Sequence, residues 1–435
     1  MSNTMDLSSN AITAMLNEKQ FNINDTLENK ISYYLLACFL IALPFARFYS
    51  EILLSCFAIH TLIHLRKIRL AGLKNRSVWI ISSIFFLNLI AVTYSNYPVE
   101  GLKNVPQQLG VLLFPFCFAV SELNLNKYKL SLLKIFAYTC TVTILYLYIA
   151  AFHTIRFFHF PLSVIGSSSF INQNFSEPIG LHATYLSMYV TLSAATFFYI
   201  INHERNYKKW KYIFCLIILL AGLIQLSSRS AFICLCLIVI AGIPFFLLKG
   251  KIRLQFFIIS LVTFISLILA ISNVSSLKKR YLTDFENDLS ENSVTTDFSE
   301  TRMKRWSMEI ELIKQSPVIG YGNGSEKYLL KENYFKNKFY KSFLLELNAH
   351  SQYLSFLINT GIIGLLMYLY ILYYGFSSAF TKKDFIFISF LIMVAVVSVS
   401  ENILDVNKGV FFYSFFYSLF MVPGSKENIL LTNRN

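Results

Sequence analysis

Long apolar runs broken by short polar stretches dominate this chain. A bilayer core needs ~20 apolar residues per helix. On that measure the pattern predicts twelve spans, at about 31–47, 49–65, 77–95, 105–121, 130–153, 181–202, 212–227, 229–248, 255–274, 352–375, 385–402 and 408–422. Pro44 also allows the first two runs to form one re-entrant unit, and the last run is short. The expected organisation is a cytoplasmic tail over 1–30, nine spans over 31–274, a large polar loop over 275–351, three spans over 352–422 and a tail over 423–435. The first 30 residues show no basic, apolar and small-residue succession of a cleavable signal.

Composition narrows the class. Hydrophobic residues make up 55% and charged residues 14%, against about 25% charged in soluble domains. A water-soluble fold of 435 residues would expose too much apolar surface. The expected class is an all-α polytopic membrane protein with one large extracytoplasmic loop. The net charge of +14 forms short clusters between apolar runs rather than one dense stripe, which argues for membrane loops and against nucleic acid. The short loops on one side carry 17 Lys and Arg, from Arg66 to Lys383, and those opposite carry 5. That bias places both termini in the cytoplasm and the 275–351 segment outside. The segment holds 12 Lys and Arg, but long loops do not enter the orientation rule. All seven cysteines sit in apolar stretches without metal-ligand spacing, so reduced thiols and no metal site are expected.

Five polar constellations stand out against this background. Gln225, Ser227, Ser228, Arg229 and Ser230 end one predicted span and open the next. Arg229 there is either a snorkelling interfacial side chain or an anion contact at a helix N-terminus. In the loop, Asp297 and Glu300 resemble a capping box before a helix running to Gln315. Met303, Trp306, Ile310 and Ile313 predict its apolar face, and Arg302, Arg305 and Glu309 a polar one. The helix is expected to lie on the outer membrane surface and to stop at Pro317. Gly320, Gly322 and Gly324 follow as a tight turn or an anion-binding backbone nest. His350 enters the tenth span, which contains Gly361 and Gly364. A histidine at such a mouth serves as a general base or packs as an interfacial group beside Tyr353. Glu177 and His182 precede the sixth span, as substrate contacts or helix-end polar groups. Glu401 and Asp405 end the eleventh and need partners, for which Arg229 or Lys408 are candidates.

Three of these constellations together resemble the O-antigen ligase and polymerase superfamily of bacterial membrane glycosyltransferases, over about residues 170–420. His350-Ser351, nine residues, then Gly361-Ile-Ile-Gly364 is similar to the ligase pattern H-[NSQ]-x9-G-x-x-G. Leu365 stands where the family usually has Thr or Val. Ser228-Arg229-Ser230-Ala231 resembles the arginine motif before the family's large loop. Arg302 to Trp306, with Pro317-Val-Ile-Gly320-Tyr-Gly322, resembles the loop's arginine helix and glycine turn. The resemblance implies a GT-C-like fold in the bacterial inner membrane with its site on the periplasmic side. It implies an undecaprenyl-diphosphate-linked glycan donor and, as acceptor, a lipid A-core sugar (ligase) or another glycan repeat unit (polymerase). No cofactor is implied. Arg229 and Arg302 would neutralise the diphosphate without metal, with Arg305, His182 and Glu177 as further substrate contacts, and His350 would be the base. Two readings compete from other classes. A flippase for the same lipid-linked sugar should show pseudo-symmetric halves and charged residues within spans. A non-catalytic scaffold would not need the arginine–histidine set.

Overall fold

The computed structural model describes residues 23–204, 209–273 and 301–424. Asp297 and Glu300 lie outside these residues, as do most of both tails and the first part of the polar loop. The described residues are helical, with no strand among them.

A helix lies on each of the twelve predicted segments. They are α1 (Leu27–Ala42), α2 (Arg47–Ile63), α3 (Arg76–Thr93), α4 (Leu109–Val120), α5 (Leu125–Phe157), α6 (Ala183–His203), α7 (Lys209–Leu226), α8 (Arg229–Leu237), α9 (Gly250–Ser272), α12 (Gln352–Lys382), α13 (Phe385–Ser400) and α14 (Asn407–Met421). The polar loop adds α10 (Arg302–Gln315) and α11 (Glu326–Lys336). Several starts are set by side-chain caps: Thr26, Asn75, Asn124 and Asp384 each accept from a backbone N–H of the first turn. Among the described residues, six helices are long and apolar enough to cross a membrane: α3, α5, α6, α7, α12, and α8 extended through a π turn to Phe246. α13 is shorter. The chain is thus a polytopic membrane protein. On either side of Pro44, α1 and α2 are separate helices packed on each other. The segment expected to be helical from 105 starts its α-helix only at Leu109, after a tight turn Pro106–Gln108, because proline cannot donate to the ladder.

The short α14 is the hub. Every residue from Asn407 to Met421 is buried, the mark of a helix enclosed on all sides. Phe415 packs on Phe39 and Phe114, Phe416 on Phe136, and Phe420 stacks on Phe387 at 4.8 Å.

The polar loop forms a cap. Its helices enclose a small core of Met308, Leu330 and Tyr334. Thr301 caps α10 through its bond from the Lys304 N–H. The predicted faces of α10 are corrected: Arg305, Met308, Glu309 and Ile313 are buried, while Ile310 is 41% exposed. The charged stripe thus faces into the cap, where Glu309 comes near Glu326 of α11 and Asp405.

The glycine turn is likewise no anion nest. The N–H groups of Tyr321 and Gly322 donate to the Ile358 and Asn359 carbonyls at 2.8 and 2.9 Å, and that of Asn323 to Ala91 O at 3.1 Å. These groups are already used in docking the cap onto α3 and α12. The partner surface is a kink in α12 at Gly361, with φ 65° and ψ −161°. A Cβ there would lie 2.2 Å from Val318 O, and one on Gly320 2.6 Å from Ile358 O. The two sequence motifs are therefore two halves of one joint. Gly361→Ala should combine a backbone conformation nearly restricted to glycine with a backbone clash, costing about 2–5 kcal/mol. A thermal unfolding midpoint in detergent matching wild type would contradict this account of the joint.

Candidate active site

Four helix ends meet beside the joint. α12 begins after His350, α13 ends before Glu401, α6 begins after His182, and α10 begins with Arg302. Glu401 is the centre. Its Oε2 lies 3.4 Å from His350 Nδ1, and its Oε1 accepts from Thr184 Oγ1 at 3.4 Å. Arg302 Nη1 donates to the Ser400 carbonyl at 3.3 Å. Burial pushes the Glu401 carboxyl up, but the His350 hydrogen bond and charge, with the charges of His182 and Arg302, hold it below its ordinary range.

His350 is held in place by its backbone. It has φ 53°, a left-handed conformation that costs a non-glycine residue about 1 kcal/mol or more. Its N–H donates to Asn348 Oδ1 at 3.2 Å. Trp306 Nε1 donates to the preceding Ala349 carbonyl at 2.8 Å, so α10 fixes the entry to α12. A carboxylate at Nδ1 favours the tautomer protonated there and leaves Nε2 as the basic nitrogen. That arrangement can accept a proton from a hydroxyl.

The other candidates separate. Arg229 opens α8, half-buried. Cys234, five residues on, has its Sγ 4.0 Å from Met393 O of the antiparallel α13, so Arg229 lies toward the end of α13 that carries Ser400. Arg305 is buried inside the cap. His182 is exposed at the N-cap of α6, its Nδ1 accepting from Thr184 N–H at 3.4 Å. Glu177 is exposed and lines a separate cavity with Phe158, Phe170 and Pro178. The pairing suggested for Glu401 is corrected in one half: Lys408 Nζ donates to the Leu43 carbonyl at 2.8 Å, and the side chain on Glu401 is His350.

A second acidic group was not visible as a unit in the sequence. Glu326 accepts from Asn402 Nδ2 and Asn359 Nδ2 at 3.4 and 3.3 Å. Asp405 Oδ2 accepts from Ser355 Oγ at 3.0 Å and Asn402 Nδ2 at 2.8 Å. Glu309 is fully buried, and neither of its oxygens has a hydrogen-bond partner among the described residues. Burial, then the Asp405 charge, pushes Glu326 from its ordinary 4.5 up to about 7. Burial raises Asp405, and burial with the Glu326 and Asp405 charges raises Glu309.

The sign is common to all three. The unfolded chain releases these protons at lower pH than the folded chain, so stability is full below the ordinary carboxylate range and falls as pH rises. For Glu326 the window runs from 4.5 to about 7, at up to ~1.4 kcal/mol per pH unit. The unfolding midpoint in detergent should fall across that window, and Glu326→Gln should flatten the fall. A rising midpoint in the same window would contradict the assignment.

These features define the chain as a polytopic membrane protein with a histidine–carboxylate pair, flanked by arginine, at one end of its helices. Residues 214–369 match the family model described as O-antigen ligase, a stretch that includes Arg229, Arg302 and His350. Over this segment the chain is similar to the O-antigen ligase family, which supports a membrane enzyme of the transferase class. No curated protein matches the chain significantly.

Proposed function

We propose that the protein transfers a glycan from undecaprenyl diphosphate to a sugar hydroxyl of lipid A-core, on the periplasmic face of the inner membrane. The observation that carries this is the His350–Glu401 pair, 3.4 Å apart, with Arg302 on the adjoining helix end. A donor with a diphosphate needs fixed positive charge, and guanidinium groups supply it in a geometry that matches phosphate oxygens. Arg302 and Arg229 take that role. His350 Nε2 removes the proton of the acceptor hydroxyl. The oxygen attacks the anomeric carbon as the carbon–oxygen bond to diphosphate breaks, and the undecaprenyl diphosphate leaves with its charge balanced by the arginines. Direct attack inverts the anomeric centre. The clamp requires no divalent ion.

Deletion of the gene followed by glycolipid gel analysis tests the reading. Loss of capped lipid A-core with accumulation of lipid-linked polymer is the expected result. Capping by single repeat units would instead assign the polymerase reaction with the same donor, and an unchanged glycan profile would reject both.

A further inference from the structure

His350 also borders a cleft of about 360 Å³, a volume in the range of small-ligand sites. Glu326, Asn348, Asn359 and Asp405 line it, with Tyr328 and Lys327. None of Arg229, Arg302 and Arg305 does. Lys327 is committed to Glu346 at 2.6 Å. The hydrogen-bond partners of Glu326 and Asp405 are amides, hydroxyls and a backbone N–H. The Tyr328 ring stacks on Tyr97 with centroids 4.7 Å apart and planes at 18°, and its hydroxyl bonds to Glu100. The ring is thus a fixed wall.

The chemistry of this lining is that of polyol recognition. Sugar hydroxyls donate to carboxylates and accept from amide nitrogens, and a pyranose C–H face packs on an aromatic ring. A phosphate or carboxylate in the same place would meet the carboxyl groups of Glu326 and Asp405, and no arginine lines the cleft. Like charges brought together out of water repel strongly.

We propose that this cleft is the acceptor subsite, and that it takes a neutral or amino-substituted sugar at the reacting position and rejects an anionic one. The proposal rests on the transferase reading and deepens it. The donor diphosphate occupies the arginine side of His350 and the acceptor the cleft side, so the base stands between them.

The test uses the purified full chain in detergent with lipid-linked donor. Three acceptors of matched length end in a hexose, a hexosamine with a free amine, and a uronic acid. The acidic acceptor should show a kcat/KM at least ~10-fold lower, chiefly through KM. Asp405→Asn should narrow that penalty. Tyr328→Ala should raise the acceptor KM about 10-fold and leave the donor KM unchanged, and Tyr328→Phe should restore it. Unfolding midpoints confirm that the variants are folded. Equal use of acidic and neutral acceptors, or an unchanged acceptor KM in folded Tyr328→Ala, overturns the cleft assignment. Folded wild-type protein that transfers to none of the three removes the underlying transferase reading instead.

Discussion

His350→Ala is expected to lower transfer by ~10²–10⁴-fold, the usual contribution of a positioned general base, with the protein still present in the membrane. The side chain is about a third exposed, at 31%, so its removal leaves no buried cavity. The backbone contacts that hold residues 349–351 come from Trp306 and Asn348 and survive the change. Glu401→Gln keeps the shape of the neighbour and removes its charge. It should lower kcat on the order of 10-fold or more, with both KM values little changed, because the carboxylate orients the imidazole without touching substrate. Glu401→Asp should recover part of the loss. Near-normal kcat in His350→Ala at normal expression would reduce His350 to an interfacial residue. A KM effect alone in Glu401→Gln would move that residue from positioning to binding.

Arg302→Ala should cost about 10²–10³-fold in kcat, the scale for losing one preorganised donor to developing negative charge. Among the described residues Arg302 makes a 3.3 Å hydrogen bond to the Ser400 carbonyl, and its charge acts on Glu401. A diphosphate is a far stronger acceptor for the same guanidinium, so the side chain can transfer to it at small cost. Arg302→Lys should remain well below wild type, since an ammonium keeps the charge and loses the planar fork. Arg229 variants should follow the same order. The assay is in vitro transfer with purified protein and lipid-linked donor, with chelator present. Full activity of both alanine variants, or strict dependence on a divalent ion, rejects the clamp.

Helix positions were legible along the sequence wherever a long apolar run stood alone, as at α5 and α12. Periodicity failed where both sides of a helix meet protein. In α10 the Met303/Trp306/Ile310/Ile313 stripe was only partly right, since Ile313 is buried but Ile310 is exposed, and Arg305 and Glu309 of the expected polar face are buried as well. The glycine motifs were recognisable, but their purpose was not. Spacing along the chain cannot show that Gly320 docks on Gly361. His350 and Arg302 stood out as charged groups at helix ends. The Glu401 partnership did not, since 50 intervening residues separate it from His350 and only packing of α6, α12 and α13 brings the two together.

The enclosed position of α14 has a consequence for how the molecule is made. Phe415 completes a cluster with Phe39, Phe114 and Phe118, and Tyr189 bonds to the Lys408 carbonyl at 2.9 Å. All of these partners are synthesised before the helix that they surround. The earlier helices therefore cannot complete their packing until α14 has entered among them. Assembly is then governed by contacts of long sequence separation, which form slowly and leave intermediates open to wrong pairing. The slowest step in maturation should be insertion of the centre rather than addition of a final outer helix.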